Sequence, residues 1–216
     1  MEPRTVTPAA CAQFYAALAA ANPAPRSELE YHSPYQLLVA VILSAQATDK
    51  SVNLATAGLF RVAPDPASML ALGLAGLRRR IRTIGLFNAK ARHIIAATRM
   101  LIERHGGEVP SDRASLEALP GVGRKTANVV LNAAFGAATI AVDTHIFRVA
   151  NRTGLAPGRT PRAVEDRLLA VTPARFRQHA HHWLLLHGRY TCKARRPGCP
   201  RCPVRRWCAW PDKVSA

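Results

Sequence analysis

A helix-capping side chain stands directly before a proline repeatedly in this chain, as at Ser33-Pro34, Asp65-Pro66, Thr160-Pro161 and Thr172-Pro173. Ser, Thr and Asp accept hydrogen bonds from the first unpaired amides of a helix. Proline suits the first helical position because its missing N–H has no partner there anyway. Each pair therefore marks a helix start, and apolar residues at helical spacing fill the chain between such starts. Helices are expected over residues 8–21, 34–45, 49–60, 66–72, 74–82, 88–105, 113–119, 124–135, 144–152, 161–171 and 173–187. Gly106-Gly107 and Gly188 read as stops. Alternating strand pairs, low-complexity segments, long linkers and internal repeats are not evident. The fold class is all-α, and a 49% hydrophobic fraction in 216 residues is enough for one or two packed cores.

The run Leu119-Pro120-Gly121-Val122-Gly123-Arg124-Lys125-Thr126-Ala127 reads as a tight glycine hairpin between two helices. Ser115 to Leu119 form a helical turn that Pro120 stops. Ala127, Val130, Leu131 and Ala134 give the second helix an apolar stripe, and Gly136 ends it. Gly121 and Gly123 permit positive φ and close approach of another backbone. Amides of Gly121, Val122, Gly123 and Arg124, pointing outward beside a helix N-terminus, suit a phosphate. Lys125 follows at once, one of five lysines against 25 arginines. Arginine supplies charge but holds its proton too tightly to attack carbon. A lysine partly buried and flanked by a cation becomes a nucleophile able to form a Schiff base.

Thirty basic residues oppose thirteen acidic ones, a formal charge of +17 with a pI near 11.1. That excess is an electrostatic footprint for phosphates. No segment approaches the ~18 consecutive apolar residues of a membrane span. Met1 is followed by Glu2 and a Pro/Thr stretch rather than a basic and then apolar leader, so an intracellular, reducing location is expected. In that setting the four cysteines Cys192, Cys199, Cys202 and Cys208 suggest metal rather than disulfides. Their spacing alone leaves zinc and an iron–sulfur cluster open. Between them lie Lys193, Arg195, Arg196, Arg201, Arg205 and Arg206, a row of cations on a proline-stiffened loop. Cys11, isolated on the first helix, reads as a small buried hydrophobe.

Several motifs in order carry a resemblance over nearly the whole chain. They are Leu43-Ser44-Ala45-Gln46-Ala47-Thr48-Asp49, Ile84-Gly85-Leu86-Phe87-Asn88, the hairpin run, Val142-Asp143-Thr144-His145-Ile146-Phe147-Arg148, His187-Gly188-Arg189-Tyr190 and the terminal cysteines. The chain resembles the endonuclease III family, helix-hairpin-helix DNA glycosylases that carry an iron–sulfur cluster. The resemblance implies two helical lobes: a continuous one over residues 27–137, and a discontinuous one from 1–26 plus 138–216 that holds a [4Fe–4S] cluster on the 192–208 loop. It also implies a cleft between them.

The implied reaction removes an oxidised or fragmented pyrimidine from DNA. The damaged nucleotide is flipped out, Lys125 displaces the base at C1′, and β-elimination from the resulting Schiff base cuts the strand. Asp143 reads from its position as a helix N-cap; the resemblance makes it the carboxylate that assists base departure. Gln46 and Leu86 match positions where family members insert side chains into the duplex, although a solvated glutamine and a hydrophobic staple fit the same positions. His145 either contacts the sugar–phosphate or completes the core. Asp49 and Glu117 resemble polar residues near the family's active site, with a helix cap and a surface helix residue as the plain readings. The implied partner is double-stranded DNA with damaged pyrimidines or abasic sites, bound by a monomer in the cytoplasm at the nucleoid, with no membrane contact. Two alternatives stay open: a mismatch-type monofunctional glycosylase, a type that generally lacks this lysine, and a non-catalytic iron–sulfur protein that only binds DNA.

Overall fold

The structure, a computed structural model, describes residues 5–213, and no strand occurs among them. Its helices are α1 (Pro8–Ala21), α2 (Pro34–Leu43), α3 (Asp49–Phe60), α4 (Pro66–Arg80), α5 (Phe87–His105), α6 (Arg113–Glu117), α7 (Arg124–Phe135), α8 (Thr144–Thr153), α9 (Pro161–Val171) and α10 (Arg177–Tyr190). They form two compact units. One is Ser27–Gly136; the other combines the described residues up to Arg26 with those from Ala137 onward.

In the Ser27–Gly136 unit, α2 is apolar on every side, and Tyr35 through Leu43 are all buried. A helix of that composition belongs at the centre of a core. It packs against α3, α5 and α7. The buried Tyr35 and Thr98 hydroxyls pair at 2.7 Å, which answers the demand of two polar groups removed from water. Within α4 the backbone turns left-handed at Gly73 (φ 69°), so 66–72 and 74–80 are two helical stretches joined at a kink.

The other unit closes over α1, α8, α9 and α10. Phe14, Tyr15, Ile146, Val149, Leu168 and Leu184 are fully buried there, and Val204 of the cysteine loop joins the same core. Tyr15 stacks on Phe176, with ring centroids 5.8 Å apart. Trp183 keeps its indole N–H satisfied by donating to the Asn22 carbonyl at 2.8 Å. Cys11 is buried in this core, its Sγ 3.4 Å from the Val171 carbonyl, as expected of a small hydrophobe.

Helix starts at Ser33, Asp65 and Thr160 are capped by those side chains. Thr172-Pro173 behaves differently. Thr172 closes α9, Pro173 opens a 3-10 turn over Ala174–Phe176, and α10 begins only at Arg177. Gly188 is not a stop either, because α10 runs through it to Tyr190. Its role is space: a Cβ there would meet His145 Cβ at 2.9 Å and the His145 carbonyl oxygen at 3.0 Å. The glycine lets α10 lie against α8 at the point where Arg148 Nη2 donates to the Gly188 carbonyl at 2.7 Å. The expected extension of α2 to residue 45 also fails. The helix ends at Leu43, and a lysine from another helix takes the carbonyls of Leu43 and Ala45.

Candidate active site and nucleic-acid interface

The helix-hairpin-helix is formed by α6, the turn 118–123 and α7. Gly121 sits at φ 80°, and a Cβ added to it would lie 2.7 Å from His93 Cβ, so both conformation and space exclude other residues. Gly123 needs neither allowance. It is extended at φ −96°, and nothing lies within 4 Å of where its Cβ would be. Val122 does not offer a free amide, contrary to expectation. Its N–H donates to the Leu119 carbonyl at 3.0 Å and its side chain is buried, because the tight turn is closed by that bond.

Seven of the ten described α-helices have a Ser, Thr or Asp side chain bonded to their first amides. α7 has none, and its N-cap is Gly123. A helix that begins without a side-chain cap keeps its positive end available to an anion from outside. Lys125, in the first turn of α7, is exposed rather than partly buried.

α5 also lacks a side-chain cap, and its N-cap is Leu86 in a left-handed conformation (φ 59°), 61% exposed. Such exposure excludes the staple reading, which requires packing. Gln46, also exposed, is left-handed at φ 55° in the turn after α2. Between these turns stands Lys90, only 4% exposed. Its ammonium donates to the Leu43 carbonyl at 2.8 Å and the Ala45 carbonyl at 2.6 Å. Burial lowers its pKa from the ordinary lysine value. Asp49, the first residue of α3, is not the cap of that helix; Thr48 is, accepting the Ser51 N–H at 3.2 Å. Glu117 ends α6 with an exposed side chain.

In the other unit, Asp143 is the N-cap of α8, and its Oδ1 accepts the Ile146 N–H at 2.8 Å. A cap occupies one carboxylate oxygen, so this role does not exclude a second one. His145 is half-buried, with Nδ1 3.3 Å from Arg148 Nη2.

Cys192, Cys199, Cys202 and Cys208 all line one small pocket, together with His187 and Val204. Burial pushes the Cys202 thiol up to about 11 and raises Cys208 as well. Metal binding would have to supply the free energy that deprotonates them. Among the described residues no group of three or more His, Cys, Asp or Glu side chains is placed to hold a metal ion. Lys193 and Arg195 are exposed on the loop.

Sequence reasoning passed over two arginines that fasten this loop, Arg148 and Arg152, one turn apart on α8. Arg148 Nε donates to the Cys192 carbonyl at 3.0 Å. Arg152 donates to the Lys193 carbonyl at 2.7 Å and the Ala194 carbonyl at 3.2 Å, and its Nη1 lies 3.7 Å from Cys192 Sγ. Their i, i+4 spacing was the available signal. Lys90 was missed too, since a lone lysine in an amphipathic helix reads as a solvated one.

Residues 39–174 match the family described as HhH-GPD superfamily base excision DNA repair protein. The chain is 62% identical over 194 residues to endonuclease III of Escherichia coli (strain K12), an alignment covering 90% of this chain and 92% of that one. It is 64% identical over 191 residues to endonuclease III of Treponema pallidum (strain Nichols), covering 88% and 90%. Among solved structures, a trapped endonuclease III–DNA covalent intermediate, the estranged-adenine complex, superposes with a TM-score of 0.88 at 42% identity, covering 95% of this chain and 97% of that one.

Proposed function

Because the chain belongs to the HhH-GPD superfamily of base excision DNA repair proteins, and within it to the endonuclease III family, we infer that it is a bifunctional DNA glycosylase and abasic-site lyase. The observation that carries the reading is Lys125: a lysine in an arginine-dominated chain, in the first turn of an uncapped helix, within a protein similar to one trapped covalently on DNA.

The substrate is duplex DNA carrying an oxidised or fragmented pyrimidine, or an abasic site. Backbone amides at the start of α7, with Gly121, Gly123 and Arg124 around them, grip a phosphate of the damaged strand. Gln46 and Leu86 enter the stack as the damaged nucleotide leaves it, the amide facing the orphaned base and the leucine filling apolar space. Closure of DNA over the exposed Lys125 excludes water and disfavours the ammonium form. Neutral Nζ then attacks C1′, and the C1′–N bond to the base breaks. Asp143, its second oxygen not needed for capping, stabilises positive charge on the sugar or accepts the lysine proton. The ring-opened sugar is held as an imine on Nζ. Loss of a C2′ proton expels the 3′ phosphate, and water releases the enzyme. His145 meets the sugar–phosphate backbone, while Asp49 and Glu117 are assigned to the polar margin of the site.

The four cysteines are assigned to a [4Fe–4S] cluster. Four soft thiols lining one shared pocket are the donor set that such a cluster takes. When bound, that group fixes the 192–208 loop, and Arg148 and Arg152 hold the loop's carbonyls so that Lys193 and Arg195 face phosphates. No helix among the described residues is long and apolar enough to cross a membrane. The proposed place of work is the cytoplasmic nucleoid, with the enzyme acting as a monomer.

Incubation with duplexes containing single oxidised pyrimidines should give base release together with a nick 3′ to the lesion. Binding without either product would leave only the non-catalytic reading. Anaerobically purified protein should be yellow-brown and contain iron with matching sulfide. Stoichiometric zinc in its place would overturn the cluster assignment.

A further inference from the structure

We propose that Lys90 is a positioning residue for lesion recognition, locking the turns that carry Gln46 and Leu86 at one fixed spacing. The proposal rests on the reading that those two side chains enter the duplex.

Among the described residues, three non-glycine residues have positive φ, and Gln46 and Leu86 are two of them. Neither is a residue type that visits this region readily; such a backbone is strained and persists only where its surroundings dictate it. Glycine or asparagine would adopt the same backbone at lower cost, so the structure keeps strain in order to present a long amide and an apolar side chain to solvent.

Lys90 supplies the constraint on both sides. Its backbone N–H donates to the Leu86 carbonyl at 3.1 Å, closing the first turn of α5 on the strained residue. Its ammonium donates to the carbonyls of Leu43 and Ala45, so the residue before Gln46 is bonded to it directly. One side chain thus joins the end of α2 to the start of α5. The ammonium answers open carbonyls at the end of α2. Because a charge is costly to bury, it holds its place only while both carbonyls stay within its reach, which ties their position to that of α5. Lysine also suits the geometry better than arginine, since a compact ammonium can direct separate protons to two carbonyls that lie close together.

The test compares Lys90→Met with Leu86→Ala and Gln46→Ala on the full chain. The probe is a duplex with a tetrahydrofuran abasic analogue opposite 2-aminopurine, set beside the same duplex undamaged. Lys90→Met should keep its affinity and salt dependence on undamaged DNA. It should lose lesion discrimination and the fluorescence rise of the estranged base by up to about 10²-fold, the scale at which small misplacements act. In a Leu86→Ala, Gln46→Ala background the same change should add little, since residues that act through one another are not additive. Lys90→Arg, which keeps carbonyl donors, should recover part of the loss. Wild-type discrimination in Lys90→Met overturns the proposal, as does an equal loss on damaged and undamaged DNA. Should Lys90→Met fail to fold, Lys90→Gln takes its place under the same criteria. If the two alanine variants leave discrimination intact, the insertion reading fails and takes this one with it. If they abolish discrimination and Lys90→Met does not, only the role of Lys90 fails.

Discussion

Lys125→Arg should fold, bind DNA with nearly unchanged salt dependence, and give no covalent adduct when borohydride is added during turnover. Base release and strand cleavage in a single turnover should fall by a factor on the order of 10⁴–10⁶, the scale on which removing a nucleophile from a catalytic unit acts. The substitution separates two things a lysine contributes. Arginine keeps the cation beside Arg124 and the attraction to phosphate at the start of α7. Its guanidinium, however, holds its proton so strongly that no usable fraction is neutral. Because Lys125 is exposed, the change leaves no cavity and strands no buried group, so fold and affinity are proper controls. Wild-type trapping and base release by Lys125→Arg would defeat the lysine mechanism and return the reading to a water-attacking, monofunctional glycosylase.

The helical architecture was legible because its signals are local. A capping side chain before proline, a glycine pair after a basic turn, and apolar spacing of three and four residues each fix a few torsions without reference to distant chain. Gly73 shows the strength of such signals: expecting one helix to end at residue 72 and another to begin at 74 anticipates the left-handed break there. Gly188 shows their limit. A glycine in a helix is equally a stop or a gap, and only the position of His145, more than forty residues away, makes it a gap. Thr172-Pro173 failed for a related reason, since the pair opens a 3-10 turn just as well as an α-helix.

The candidate site divides along the same line. Lys125, Asp143 and the four cysteines stand in runs whose order carries the resemblance, so sequence alone is enough to propose them. Strain at Gln46 and Leu86 and the bracing by Lys90, Arg148 and Arg152 depend on carbonyls supplied by other elements. A carbonyl carries no residue signature, so side chains that bind carbonyls remain hidden in sequence. Lys90 is the clearest case: its partners lie 47 and 45 positions away.

Asp143→Asn should separate base excision from strand cleavage. Asn and Asp are comparable N-caps, so the bond to the Ile146 N–H is retained and α8 should start as before. The negative charge is lost, and with it stabilisation of the sugar as the base departs. Base release from an oxidised pyrimidine should drop about 10²–10⁴-fold, the range for a positioned acid–base or charge-stabilising group. At a pre-formed abasic site the base has already gone, so imine formation and β-elimination through Lys125 should suffer far less, and borohydride trapping there should persist. Asp143→Ser, also a good cap, should show the same split. Asp143→Ala should show it with a further loss of about 1 kcal/mol in stability from the missing cap. If capping were the sole role of this carboxylate, Asn and Ser would keep full base excision and Ala alone would lose stability. A glycosylase rate in Asp143→Asn within a few-fold of the parent, measured beside unchanged thermal unfolding, would leave Asp143 as a cap and require another group to assist the departing base.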